Sequence, residues 1–206
     1  MELEEQMRFV AEAGRLKAVL RQTPLTEPAR RENSAEHSWH LAVMALVLGD
    51  HAPPGTDVSR VIAMLLVHDL VEIDAGDLFW YADAAQHARQ EAAEQAAADR
   101  IFALLPDGLA GRVRALWGEF EERRTPEAKF ARALDRLQPM LANVQAGGGT
   151  WAEHNITAEQ VLPAVALIKD GSESLGSYAA GLLERAVGAG LLARAGAPAG
   201  PGQAAG

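Results

Sequence analysis

Apolar residues recur at helical spacing along most of this 206-residue chain. Near the start, Met7, Val10, Leu16 and Leu20 fall on one side of a helix predicted over about residues 3–22. Basic residues gather at the end of this helix. They either complement the negative end of the helix dipole or bind an anion, and the pattern leaves both interpretations open.

The remaining pattern predicts seven more helices, several with recognisable start signals. Ser34 is the expected N-cap of the second helix, and Thr125-Pro126-Glu127 is a typical helix start. We interpret the run Gly147-Gly148-Gly149 as a plain connector. The predicted ranges are Ser34 to Leu48, Val58 to about Val71, 83–105, about 107–120, 126 to at least 141, 158 onward, and roughly 172–192.

The chain shows neither an alternating strand series nor a repeat of fixed period, so the predicted fold class is all-α. Its length suits one domain. We therefore predict a single-domain helical bundle over residues 1–194. The Ala/Gly/Pro-rich tail over residues 195–206 is expected to be disordered.

Composition narrows the possible chemistry. The chain has no cysteine, which excludes disulfides, thiolate metal ligands and a cysteine nucleophile. Its net charge of -9 argues against an extended nucleic-acid surface, although a local basic pocket could still bind a small anion. No apolar run is long enough to span a membrane, and the acidic start is unlike a signal peptide. We expect no nucleic-acid polymer as partner, no membrane and a cytoplasmic location.

One apolar helical segment carries an unusual set of polar residues. It contains the adjacent pair His68-Asp69, and three more carboxylates follow at Glu72, Asp74 and Asp77. Such groups are costly to bury unless they are paired or bound to a metal. A metal site is therefore the first hypothesis.

Other helices supply the remaining candidate ligands, His37 and Asp135. Considered alone, Asp135 is interpreted as a surface acid paired with Arg132 or Arg136. With His68-Asp69, the set would offer two imidazoles and two carboxylates. That set suits Mn, Co, Fe, Ni or Mg better than a closed structural zinc site, but it does not distinguish among these metals and zinc.

The order of these residues resembles the HD-domain metal-dependent phosphohydrolases. Glu36-His37-Ser38, His68-Asp69-x-x-Glu72 and Gly76-Asp77 resemble the branch of 5'-deoxynucleotidases, and the likeness extends from about Arg15 to Leu141. The resemblance implies that one divalent metal is bound. The implied ligands are His37, His68, Asp69 and Asp135.

The same resemblance assigns further roles. Glu72 and Asp77 would be catalytic, and their alternative interpretation is polarity at a helix end. Arg21, at the end of the first helix, would bind the phosphate, and Arg132 is a second candidate. The implied reaction removes phosphate from nucleoside 5'-monophosphates, or a similar small phosphate ester, through a water that the metal activates. A homodimer is expected by the same analogy.

Three further features refine this expectation. Gln22 stands where a tryptophan is typical of the bacterial nucleotidases, so a strict preference for 2'-deoxyribose is not predicted. The aromatic segment Leu78-Phe79-Trp80-Tyr81 either lines the pocket or packs the loop onto a helix. Glu119 is a candidate to join Glu72 and Asp77 around a second, weaker metal.

Other functions remain as alternatives. One is a non-catalytic dimerisation or regulatory module on the same scaffold, and another is an iron-dependent HD-domain oxygenase, for which His40 alone is thin support. Guanosine tetraphosphate hydrolysis is disfavoured because Ile73 follows Glu72 where an acidic pair is expected. Cyclic dinucleotide cleavage is disfavoured because the added Gly-Tyr-Pro motif is absent.

Overall fold

The computed structural model describes residues 2–25 and 30–195, and the predicted disordered tail beyond Ala195 lies outside the described residues. Helices dominate, which confirms the all-α class. The α-helices are α1 Glu2–Ala13, α2 Ser34–Leu48, α3 Val58–Val67, α4 Glu72–Ala75, α5 Ala84–Phe102, α6 Asp107–Glu122, α7 Pro126–Gln145, α8 Gly149–Glu153, α9 Ala158–Gly171 and α10 Glu173–Gly188.

The first predicted helix is too long. α1 ends at Ala13, a 3₁₀ helix covers Gly14–Ala18, and the backbone then extends into strand β1, Leu20–Pro24. β1 pairs antiparallel with β2, Arg31–Asn33. The prediction failed because the buried side of β1 is polar: Arg21 is buried while Leu20 is 60% exposed. Hydrophobic periodicity cannot detect a strand that buries its polar side.

Two other boundaries differ from the prediction in ways that matter for the site. Asn33, not Ser34, is the N-cap of α2, and it forms a capping box with Glu36. The hydroxyl of Ser34 is thereby left to contact another element. The third predicted helix stops at Val67, and a turn leads to the short helix α4, which begins at Glu72. The predicted extension of the third helix to about Val71 is therefore wrong.

The longest helix, α7, passes through the middle of the fold. It packs against α2, α3, α6, α9 and α10, and its buried side carries Phe130, Leu134 and Leu137. A second hydrophobic cluster joins α5 and α6 to the segment between α3 and α4 through Ile101, Trp117 and Leu70, among others. These two clusters fix α2, α7 and the α3–α4 turn relative to one another, and the candidate site lies where these elements meet.

Within the described residues, no helix is both long and apolar enough to cross a membrane.

Candidate metal centre and surrounding pocket

Three predicted ligands converge at one point. His37 from α2, His68 from the end of α3 and Asp135 from α7 each place one donor atom within 4.8 Å of the others, and all three residues are buried. His37 Nε2 lies 3.1 Å from Asp135 Oδ1, and His68 Nε2 lies 3.9 Å from the same oxygen. Two imidazole nitrogens therefore share one carboxylate oxygen, which is an arrangement that a cation can complete.

The ring of His68 is oriented for this purpose. Its Nδ1 lies 2.8 Å from the carbonyl oxygen of Leu65, which can only accept, so Nδ1 carries the proton. In the neutral ring, Nε2 then presents a lone pair. This atom is buried and makes no hydrogen bond, although Asp69 Oδ1 lies 3.0 Å away. An orphaned buried nitrogen between two carboxylates is the feature that a bound divalent ion would explain.

His37 is enclosed on both sides of its ring. Nε2 faces Asp135, and Nδ1 lies 3.1 Å from Gln138 Oε1 and 3.5 Å from Glu32 Oε2. Burial and the charge of Arg21 disfavour the protonated ring, but the hydrogen bonds with Asp135 and Glu32 outweigh them and raise the pKa of His37. A metal at this point would take the place of the proton on Nε2.

Asp135 remains ionised despite its burial. Burial opposes the charge, but Arg136 contacts Oδ2 at 2.6 Å, His37 bonds Oδ1, and Arg132 approaches Oδ2 at 3.3 Å. These neighbours hold its pKa well below the usual range. The interpretation of Asp135 as a surface acid is wrong, because the side chain is 2% exposed, although both arginines do contact it.

Asp69 lies beside the three-residue group, not within it. Its Oδ1 is close to His68 Nε2, while its Oδ2 accepts a 3.0 Å hydrogen bond from Arg21 Nη1. Burial works against the charged form, but the neighbouring His68 and Arg21 outweigh it, so the pKa of Asp69 lies below its usual value. One oxygen of Asp69 therefore faces the point where the donor atoms of His37, His68 and Asp135 converge, which we call the metal point, and the other oxygen pairs with Arg21.

Arg21 is a buried cation among carboxylates. It reaches Asp69, comes within 3.6 Å of Asp77 and lies 3.7 Å from Glu32. Burial disfavours its charge, but Asp69, Glu72 and Asp77 more than compensate and raise its pKa. The pKa of Asp77 is nevertheless raised, mainly by burial.

Glu72 is the carboxylate with the strongest tendency to hold a proton. Burial and the nearby charge of Asp69 raise its pKa well above the usual range, while Arg21 and a hydrogen bond from Ser34 partly oppose the shift. A carboxyl group with a raised pKa takes up a proton more readily than an ordinary one, which suits an acid–base role.

These groups open into a pocket of about 990 Å³. All four residues of the segment Leu78–Tyr81 line it, together with Gln22, Arg21 and Arg132. Arg132 is sandwiched against Phe120 and Trp80, and its Nε is buried without a hydrogen-bond partner. Burial and the charge of Arg136 lower the pKa of Arg132 to about 10. Beside its contact with Asp135, Arg132 therefore keeps one N–H group without a partner at the pocket, which favours an anionic ligand there.

Two acidic residues lie away from the metal point. Glu119, the candidate for a second metal, instead accepts a 2.9 Å hydrogen bond from Arg60 Nε and another from Thr125, and it does not line the pocket. Asp74, for which the sequence suggests no role, pairs with Arg100. The structure thus does not bring Glu119 together with Glu72 and Asp77.

Four residues near the site were not identified from the sequence: Glu32, Ser34, Arg136 and Gln138. Gln138 lies on the buried side of α7, one turn after Asp135, so a polar residue interrupting an apolar stripe was a usable signal. The sequence pattern predicts a helix cap at Ser34 and a surface ion pair for Arg136. Glu32 lies on the short strand β2, where the sequence contains no periodicity that would indicate burial.

Comparison with known proteins places this geometry in a family. A family model described as HD domain matches residues 13–175. The chain is 34% identical to the 5'-deoxynucleotidase HDDC2 of Xenopus laevis over 138 residues, which are 66% of each chain. It is 32% identical to human 5'-deoxynucleotidase HDDC2 over 136 residues, 66% of this chain and 65% of the relative. The match thus spans just under two thirds of these relatives' length.

Solved structures agree on the fold. A structure from Magnetospirillum magnetotacticum MS-1, titled as a predicted metal-dependent phosphohydrolase, superposes with a TM-score of 0.89 at 49% identity, covering 93% of this chain and 96% of the other. The PH0347 protein of Pyrococcus horikoshii OT3 superposes with a TM-score of 0.64 at 22% identity, which shows a shared fold. On the family match to residues 13–175, this chain belongs to the HD domain family.

Proposed function

We propose that this chain is a metal-dependent phosphohydrolase that removes phosphate from nucleoside 5'-monophosphates or similar small phosphate esters. The observation that carries the proposal is the convergence of His37, His68 and Asp135 on one point. That point lies beside a pocket lined by the buried Arg21, the half-buried Arg132 and the buried carboxyl group of Glu72. A structural ion pair would not require two histidines to direct nitrogen atoms at the same carboxylate oxygen.

The donor set fits one divalent ion, held by His37, His68 and Asp135, with Asp69 as the fourth ligand. When bound, such an ion acidifies water and polarises a phosphoryl oxygen. The open nitrogen and oxygen set supports Mn, Co, Fe, Ni or Mg, with zinc not excluded. The contacts of Glu119 give no support to a second ion that includes it.

The chain's own residues supply the other requirements of phosphate-ester hydrolysis. Glu72, with its raised pKa, accepts a proton from the attacking water or orients it. Asp77, whose pKa is raised mainly by burial, orients Glu72 or helps to protonate the leaving alkoxide. Arg21 and Arg132 compensate the charge on the phosphoryl group. Arg21 already pairs with Asp69 and Asp77, whereas Asp135 contacts Arg136 more closely than Arg132, so Arg132 is the cation with more capacity for a substrate anion.

The nucleotide class rests on the relatives and on the pocket. The curated relatives are named 5'-deoxynucleotidases. The pocket volume of about 990 Å³ accommodates a nucleoside as well as its phosphate, and the aromatic segment Phe79–Tyr81 offers surfaces on which a base could stack. Gln22 lines the pocket and bonds Arg31, so no aromatic side chain stands there to select the sugar.

A phosphate-release screen tests the proposal. The purified chain, stripped with a chelator, would be supplied with each divalent ion in turn and with ribo- and deoxyribonucleoside 5'-monophosphates. We expect release that depends on the metal and occurs with both sugars, and His68→Ala should abolish it. No release with any ion and any nucleotide would contradict the proposal.

The homodimer and the cytoplasmic location also stay predictions. The dimer has support in an apolar stripe on α2, where Trp39, Val43, Leu46 and Val47 are 64%, 39%, 71% and 70% exposed. These residues share one side of the helix and would be covered in a dimer. Sedimentation of Leu46→Glu against wild type tests the dimer: we expect a monomer from the variant, and an unchanged sedimentation coefficient would rule out this surface.

A further inference from the structure

The side-chain amide of Gln138 lies between a carboxylate and a metal-site histidine. Its Nε2 donates a 2.9 Å hydrogen bond to Glu32 Oε1, and its Oε1 lies 3.1 Å from His37 Nδ1. Glu32, His37 and Gln138 come from β2, α2 and α7, and none is more than 3% exposed. Three elements thus meet in one buried hydrogen-bonded chain.

The contact with Glu32 sets the direction of these hydrogen bonds. The NH₂ group of the amide donates to Glu32 Oε1, which accepts. Its second amide proton points toward His40 Nδ1, 3.4 Å away. The amide oxygen consequently faces His37, and because that oxygen only accepts, His37 Nδ1 must carry a proton.

The tautomer of His37 determines whether it can be a ligand. With a proton held on Nδ1, His37 can give up the proton on Nε2 and direct that lone pair at a metal; without a metal, Nε2 donates to the ionised Asp135 Oδ1, 3.1 Å away. The other tautomer would place an N–H group at the metal point. His68 obtains the same tautomer from a backbone carbonyl in its own helix, but His37 depends on a side chain from α7.

We propose that Gln138, oriented by Glu32, is a positioning residue that holds His37 in the Nδ1–H tautomer required for metal binding. The inference rests on the proposed metal site and assigns a function to two buried residues that the reaction itself does not use. Glu32 also lies 3.7 Å from Arg21 Nε, so the carboxylate that orients the amide borders the cation of the pocket.

Metal affinity tests the proposal with four variants. Gln138→Leu removes the acceptor, and Gln138→Glu keeps an acceptor for His37 but sets two carboxylates against each other. The exchange Glu32→Gln with Gln138→Glu restores one donor and one acceptor in the reverse order. Gln145→Leu, at the exposed C-terminal end of the same helix, is the control. Loss of a partner that orients a ligand weakens metal binding by about 10- to 100-fold.

We therefore expect that the Co²⁺ dissociation constant, measured by competition with a chromogenic chelator, rises by about 10- to 100-fold in both single variants at position 138. The exchange should recover most of the affinity, and Gln145→Leu should match wild type. Wild-type affinity in Gln138→Leu, or failure of the exchange to improve on Gln138→Glu while circular dichroism shows an intact fold, would overturn the proposal.

A second readout does not require the metal. Long-range ¹H–¹⁵N correlation spectra of the metal-free protein report directly which ring nitrogens of His37 carry a proton. We expect a proton on Nδ1 in wild type and its partial loss from Nδ1 in Gln138→Leu. An Nδ1 without a proton in wild type would overturn the inference. A wild-type chain that binds no Co²⁺ would instead overturn the proposed function, so the two failures are distinguishable.

Discussion

The hydroxyl of Ser34 donates a 2.6 Å hydrogen bond to Glu72 Oε2, joining the start of α2 to the start of α4. Because Asn33 performs the capping of α2, Ser34 is free to orient this buried carboxylate. The α3–α4 turn ends at Glu72, so the same contact fixes the turn that carries His68 and Asp69. The contact between Ser34 and Glu72 therefore helps to position the acid–base candidate and two candidate metal ligands, His68 and Asp69.

Replacing Glu72 by Gln should remove the acid–base group while keeping its size and its contact with Ser34. If Glu72 transfers a proton, phosphate release falls by roughly a hundredfold or more. The bound metal should remain, because Glu72 is outside the three-residue group. Steady-state kinetics with metal analysis of the same sample checks this, and simultaneous loss of the metal would make Glu72 a ligand.

Arg132→Met should weaken substrate binding more than it weakens the fold. Asp135 keeps Arg136 as a partner in this variant, so no buried carboxylate is left unpaired. Loss of a charge-assisted hydrogen bond to the phosphate should raise KM by about tenfold or more. Arg112→Met, on an exposed part of α6, is the matched control. Unchanged KM in Arg132→Met would remove Arg132 from the substrate site.

Gly149→Ala should destabilise the protein and displace β1. Gly149 has a φ of 46°, and an added Cβ would lie 2.6 Å from Asn143 Oδ1 and 2.8 Å from Pro24 Cγ. Left-handed strain and overpacking together should lower the free energy of unfolding by roughly 3 kcal/mol. Gly147, also at positive φ but in open space, is the control, and Gly147→Ala should cost only about 1 kcal/mol. Urea denaturation of both variants measures the two losses of unfolding free energy. Equal losses would show that the contact with Pro24 is unimportant.

Glu119 should stabilise the fold in a pH-dependent way. Burial raises its pKa, but the hydrogen bonds from Arg60 and Thr125 outweigh burial and lower it below the usual value. A carboxyl group with a lowered pKa stabilises the folded state above its unfolded pKa, and this contribution is lost as pH falls through the folded pKa. Glu119→Gln should therefore cost about 1 kcal/mol at neutral pH.

The difference between wild type and Glu119→Gln should shrink as pH falls from about 5 to about 3. Thermal unfolding across this range measures it. A difference independent of pH would show that the ion pair with Arg60 contributes nothing, and metal-dependent stabilisation lost in Glu119→Gln would revive a metal role for this residue.

The helical class and the ligand candidates could be predicted because each leaves a local pattern. Apolar periodicity predicts α7, and the pair His68-Asp69 is unusual inside an apolar segment. The structure shows why Asp135 could not be placed from its neighbourhood alone: the arginines that suggested a surface ion pair bury it and keep it charged. Asp135 could be predicted as a ligand only because the order of the four candidate ligands along the chain resembles that of the HD-domain family.

The polar interior was the part that could not be predicted. Arg21 lies on a strand whose buried side is polar, so the hydrophobic pattern assigned it to the end of a helix. Glu32 and Gln138 acquire their meaning only when β2 and α7 come together around His37, through contacts separated by about a hundred residues of sequence. Neither contact has a local signature.

The most direct test of the account is the metal content of the wild type and of His68→Ala, measured by elemental analysis after loading with a divalent ion and exhaustive dialysis. His68 Nε2 is the buried nitrogen without a hydrogen-bond partner that the proposed site would use as a metal ligand. The account predicts one ion per wild-type chain, and none in His68→Ala with its helical circular dichroism intact. A wild-type chain that retains no ion, or a His68→Ala chain that retains one, would contradict it.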